Sequence, residues 1–253
     1  MKILTSNKKN ITIFLLVLFL FLFALFSLLF GIYIFAKDSS KKSNNDLPKL
    51  IIIDPGHGGE DGGAVVMRKE DNKQVVEKVI NLDIAEKLRE LLRLNGFQVV
   101  MTREKDKSIH DTNAKSIRHK KRSDLRNRVE IINQHSAKNN DTILVSIHQN
   151  KFPDEKYFGT QLFFSKNNPL GEKLANCIYL YIKSKLQPEN KREIKTATSQ
   201  MFILNKSEIA SVIVECGFLS NENEQLKLTN KDYQHQMAFC IFLGIVDFFQ
   251  KNK

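Results

Sequence analysis

Cysteine is scarce in this chain. The three present, Cys177, Cys216 and Cys240, do not stand in a CxxC or other metal-ligand spacing. That excludes a cysteine-based zinc module and makes a disulfide framework a poor description. Cys177 and Cys240 fall in apolar helical patterns and read as core residues. Internal repeats are lacking, wall-binding repeats among them. No HExxH motif is present, which argues against a metallopeptidase built on one helix. Lys plus Arg exceed Asp plus Glu by 11, yet no nucleic-acid recognition motif accompanies the charge, so no nucleic-acid partner is assigned. Glycine is sparse too, and five of the eleven crowd at positions 56, 58, 59, 62 and 63.

Charge is wholly missing from residues 11–36, which are apolar almost without break. About 20 such residues span a bilayer as a helix, and secretory apolar regions are shorter. A signal cleaved after Ala36 would place Ile34 at a position that favours small residues. The segment is therefore expected to be an uncleaved transmembrane signal anchor, with residues 1–10 a cytoplasmic tail. Lys2, Lys8 and Lys9 precede the span and Lys37, Lys41 and Lys42 follow it, so charge does not fix the orientation. Residues 37–48 are polar and read as a flexible linker, and 49–253 as one catalytic domain. Setting aside three charges of the tail and one of the linker leaves this domain about +7, suited to an anionic lipid or wall surface.

From Leu50 onward short apolar runs alternate with helical periods. Strands are expected at Leu50–Ile53, Phe97–Met101, Thr142–Ile147, Gly159–Phe164, Met201–Leu204 and Val212–Val214. Helices are expected at Glu77–Leu94, Leu125–Ala137, Leu170–Leu186 and Tyr233–Phe249. The alternation predicts an α/β fold: a single domain with a twisted, mostly parallel sheet and helices on both faces. Between Arg103 and Arg126 lie nine Lys/Arg against four Asp/Glu without clear period. That stretch reads as a solvated loop; a surface guiding an anionic substrate or partner is the alternative.

In such sheets ligands bind beyond the carboxyl ends of the strands. Four residues with useful chemistry fall just there. His57 follows the first strand in IIIDPGHGGEDGGA, where glycines let the backbone turn tightly. His148 follows Thr142–Ile147, Glu77 opens a helix, and Glu215 ends Val212–Val214. Two imidazoles and a carboxylate are a common ligand set for catalytic zinc, which keeps one position for water. His57, Glu77 and His148 would supply it, with Glu215 as the carboxylate that moves the proton. Each also has a plain structural reading. A histidine after a strand is often a hydrogen-bonded core residue; His110, His119, His135 and His235 are read as such or as surface residues. Glu77 alone would complement a helix dipole, and Glu215 alone could pair with a cation.

The runs DPGHGGEDGGA (54–64), EKVINLDIAEKL (77–88), LRNRVEIIN (125–133), SIHQN (146–150) and VECGFLSNENE (214–224) resemble the zinc-dependent N-acetylmuramoyl-L-alanine amidases of the amidase-3 type, in family order. The resemblance implies Zn²⁺ held by His57, Glu77 and His148, Glu215 as catalytic carboxylate, and peptidoglycan as substrate. It implies hydrolysis of the amide between N-acetylmuramic acid and the L-alanine of the stem peptide. An anchor with one catalytic domain looks most like the germination-specific, spore-cortex branch, whose members prepare muramic-δ-lactam. Such an enzyme would sit on the membrane with its domain extracytoplasmic, on the wall side or between forespore and mother-cell membranes. Family analogy also implies an activating protein partner, for which the basic 103–126 stretch offers a docking surface. Three positions depart from the pattern: Gln149 where relatives carry Asn or Ala, Ser211 where proline is common, and Asn205 where many carry Arg. The last puts a contact to a peptide carboxylate in doubt. The competing readings are a non-catalytic wall-binding scaffold of the same fold and a zinc peptidase acting within the stem peptide.

Overall fold

The computed structural model describes residues 15–30, 48–139 and 141–252. Residues 15–30 are helical and exposed along their length, and the rest of the apolar run lies outside the described residues. Among the described residues no helix is long and apolar enough to cross a membrane. The tail expected at 1–10 and, except for Pro48, the linker expected at 37–48 also lie outside them.

Pro48–Lys253 forms one compact unit. Its strands are β1 (Leu50–Pro55), β2 (Val65–Met67), β3 (Gln74–Val76), β4 (Gln98–Met101), β5 (Thr142–Asn150), β6 (Gln161–Phe164), β7 (Lys195–Thr196) and β8 (Ala210–Phe218). Its helices are α1 (Glu77–Leu94), α2 (Ile117–Ser136), α3 (Leu170–Lys185), α4 (Phe202–Lys206), α5 (Glu222–Thr229) and α6 (Lys231–Lys251). The six-stranded sheet has the order β4-β1-β5-β8-β6-β7, and β2 and β3 form a separate hairpin. β4, β1, β5 and β8 run parallel, while β6 is antiparallel to β8. The expected α/β domain with a mostly parallel sheet is what the chain adopts.

A strand covered on both faces must be apolar on both, and β1 is buried at all six positions. Its residues alternate between two cores. Ile51 and Ile53 pack with α1, α3 and α6 through residues such as Ile84, Ile178 and Ile241. Leu50 and Ile52 pack on the other face with Ile132 of α2 and Ile203 of α4. Helices therefore cover both faces.

Three local expectations are corrected. Residues 202–206 form helix α4 instead of a strand at Met201–Leu204. Ile203 packs beneath α2, whereas Leu204 packs against Ile213. A four-residue apolar run has no period to separate a buried strand from a buried helical turn. Helix α2 begins at Ile117, inside the stretch read as a loop, where the Ser116 hydroxyl caps it by accepting the His119 N–H at 3.2 Å. Finally, β5 and β8 run past His148 and Glu215, which stand within strands and pair with each other across the sheet. The register breaks only between His148 and Asn150.

Candidate active site

The loop after β1 is shaped by two buried arginines. Arg128 of α2 pairs with Asp54 at 2.6 Å, donates to the Pro55 carbonyl at 2.9 Å and to the His57 carbonyl at 2.7 Å. Arg103 donates to the Pro55 and Gly56 carbonyls at 2.8 and 2.9 Å, and to the Lys78 carbonyl at 2.9 Å. Asp54 accepts from the Thr102 and Ser146 hydroxyls, each at 2.6 Å. Burial raises the Asp54 pKa, but the Arg128 charge and these hydroxyls outweigh it and hold it at about 2. The clamp matters because His57 has a φ of 63°, a left-handed conformation that costs a non-glycine residue energy unless its surroundings fix it.

The clamped His57 turns its two ring nitrogens to two carboxylates. Nδ1 lies 2.9 Å from Asp61 Oδ2 and Nε2 lies 3.2 Å from Glu77 Oε1. Burial disfavours the charged imidazole, yet the bonds to Asp61 and Glu77 dominate and push its pKa up to about 9. Glu77 begins α1 directly after β3, with Oε2 accepting from the Ala64 N–H at 2.7 Å. Its Oε1 lies 3.0 Å from His148 Nδ1 and accepts the Gln149 N–H at 3.1 Å. Burial opposes its ionisation, but the two imidazoles hold the carboxyl far below its usual range. Close approach requires glycine at two places. A Cβ on Gly63, where φ is +69°, would fall 2.4 Å from Glu77 Oε2, and one on Gly56 would fall 2.2 Å from the His148 ring.

His57, Glu77 and His148 each offer a ligand atom within 4.8 Å of the other two. Glu215 stands next to them, opposite His148 on β8. Its Oε2 is closed to solvent and has no hydrogen-bond partner. Burial pushes its pKa up to about 7, against the pull of the nearby imidazoles. Two imidazoles converging on a carboxylate, beside an orphaned carboxylate oxygen, form a donor set that a divalent cation fits. Asp61 on His57, and Gln149 N–H with Asn81 on Glu77, supply the outer hydrogen bonds that such ligands need.

All four residues singled out in the sequence are thus brought together. No other histidine joins the three-residue cluster among the described residues. Asp54, Asp61, Arg103 and Arg128 were missed. The signal for Arg128 was its place one helical turn after Asp124, which it contacts at 2.6 Å. Of the departures, Gln149 donates its side-chain amide to Asn81 at 3.2 Å, and Asn205 turns its own to the Thr198 carbonyl at 2.7 Å.

An α/β sheet that gathers imidazoles and carboxylates after β1, at the start of α1 and within β5 and β8 has the donor set suited to metal-assisted hydrolysis. The chain belongs to the N-acetylmuramoyl-L-alanine amidase family, whose profile matches residues 51–247. It is therefore a peptidoglycan amidase, and neither the scaffold nor the peptidase reading is favoured. The germination-specific N-acetylmuramoyl-L-alanine amidase of Bacillus subtilis is 33% identical, over 83% of this chain and 87% of its own. The CwlD amidase from Clostridioides difficile, solved in complex with the GerS lipoprotein, is 41% identical with a TM-score of 0.73, covering 80% of this chain and 99% of that one. The amidase AmiC2 of Nostoc punctiforme is 27% identical with a TM-score of 0.65, covering 81% and 99%.

Proposed function

We propose that the chain is a zinc-dependent amidase in which His57, Glu77 and His148 hold the metal and Glu215 carries the proton. The observation that carries this reading is the convergence of three ligand atoms within 4.8 Å beside a buried, unpartnered Glu215 oxygen. Zinc, when bound, supplies a Lewis acid that polarises the scissile carbonyl and makes water more acidic. Glu215 accepts the proton of the attacking water and returns it to the departing nitrogen of L-alanine. Burial, which raises the Glu215 carboxyl pKa, favours its taking up a proton and so suits it to this exchange. Asp61 fixes the His57 ring through Nδ1, which leaves Nε2 directed at the site.

The proposed setting is the spore cortex, where removal of stem peptides precedes muramic-δ-lactam formation in germination. The germination-specific relative at 33% identity supports it. The similar amidase solved with a lipoprotein supports a lipoprotein partner for this chain. The uncharged run of residues 11–36 supports a membrane anchor, with the domain on the extracytoplasmic side where peptidoglycan lies.

The test is digestion of purified cortex with and without added zinc, followed by mass analysis of the fragments. Intact stem peptides beginning with L-alanine are expected. Glu215→Gln should lower release by about 10²–10⁴-fold while zinc stays bound. Undiminished release by that variant would reject the role given to Glu215.

A further inference from the structure

Past Glu215 the sheet continues into an open cleft of about 230 Å³. Gln161 of β6 lies opposite Glu215, and Phe163 opposite Ile213. Directly paired residues share a face of a sheet, so Gln161 and Phe163 extend the face that carries Glu215. The Gln161 amide donates to the Glu193 carbonyl, and Lys195 pairs with Phe163. These ties bring Arg192 and Lys195 to the cleft wall.

Arg192 is held in an unusual way for a half-exposed arginine. Its Nε donates to the Phe158 carbonyl at 2.7 Å. Its guanidinium lies 4.4 Å from the centre of the Phe218 ring and 5.7 Å from that of Tyr157. Among the described residues its terminal nitrogens have no hydrogen-bond partner, and no carboxylate lies within ion-pair distance of them. The carboxylate that influences it most, Glu224, is taken up by the Phe218 N–H at 2.8 Å. Lys195 is exposed and likewise has no ion pair among the described residues. A guanidinium stacked on a ring and fixed through Nε presents its fork ready for a planar anion.

The substrate offers such an anion on one side only. The acetylated sugars are neutral, and the lactyl carboxyl of muramic acid is tied up in the amide to be cut. Free carboxylates before cleavage therefore belong to the stem peptide. We propose that Arg192, assisted by Lys195, binds a stem-peptide carboxylate close to the scissile bond and so selects acid over amidated peptides. The proposal rests on the amidase reading above.

The full chain is tested in two ways. Kd is measured for a free stem peptide beginning L-alanyl-γ-D-glutamyl, as the free acid and as the α-carboxamide. kcat/KM is measured on muropeptides carrying the same two forms. The wild type should prefer the acid by about 10- to 100-fold in both measurements, the range of one charge-assisted contact. Arg192→Gln should bring that ratio close to one, and Lys195→Gln should lower it about two- to tenfold. If Arg192→Gln fails to fold, Arg192→Lys keeps the charge without the fork and should still reduce the ratio. A wild type without acid preference, or variants that lose both forms equally, would overturn the proposal; equal loss would point to sugar stacking on the aromatic wall. A wild type that binds the acid peptide but releases none from muropeptide would instead refute the amidase reading and leave Arg192 its role.

Discussion

Two regions of the domain, the loop after β1 and the cleft beyond Glu215, are built in opposite ways. The loop of residues 54–64 is locked by Arg103 and Arg128, both 1% exposed, whose guanidiniums are spent on backbone carbonyls and Asp54. The cleft beyond Glu215 is lined by Phe152 and Tyr157, 48% and 36% exposed, with Arg192 stacked and its fork free. The same side-chain chemistry serves geometry on one side and recognition on the other. The difference is burial: an arginine without water must satisfy every donor inside the protein, whereas a half-exposed one can keep donors for a ligand.

This contrast breaks most visibly at Arg128. Arg128→Met should destabilise the fold by about 3–5 kcal/mol, because it leaves the Asp54 charge buried without its partner. Chemical denaturation measures it, and a loss below about 1 kcal/mol would mean the clamp is not structural. The next effect is one of pH. Asp54 is held at about 2 against an ordinary 3.8, so its contribution is complete above about pH 4 and fades as pH falls through 2. About 2 kcal/mol of stability should disappear across that window, and Asp54→Asn should flatten the curve there. The smallest effect belongs to the open cleft. Phe152→Ala removes a half-exposed ring that touches Tyr157, and should change stability by about 1 kcal/mol or less. A larger loss would show that this lining too is part of the core.

The contrast also explains what was readable in the sequence. The run Leu50–Ile53 and the period of Glu77–Leu94 are apolar where the fold is buried, so their pattern predicts them. The glycines around His57 mark a close backbone approach, and Gly63 meets that need against Glu77. The start of α2 was hidden because its buried positions are Ser123, Arg128 and Ile132, which give no apolar period. A buried arginine looks in sequence like one more surface charge. The recognition cleft was equally silent. Phe152 and Tyr157 share the β5–β6 connection, but Arg192 and Phe218 are far from them along the chain and join them only when β6 lies antiparallel to β8.

The central claim is that side chains from a loop, a helix start and a strand share one zinc ion. Metal analysis of the purified full chain, with a competition titration against a chelator, tests it without reference to activity. One zinc per chain is expected, with affinity reduced at least about 100-fold in Glu77→Gln. Unchanged affinity in that variant, or a wild type that takes up no zinc, would contradict it.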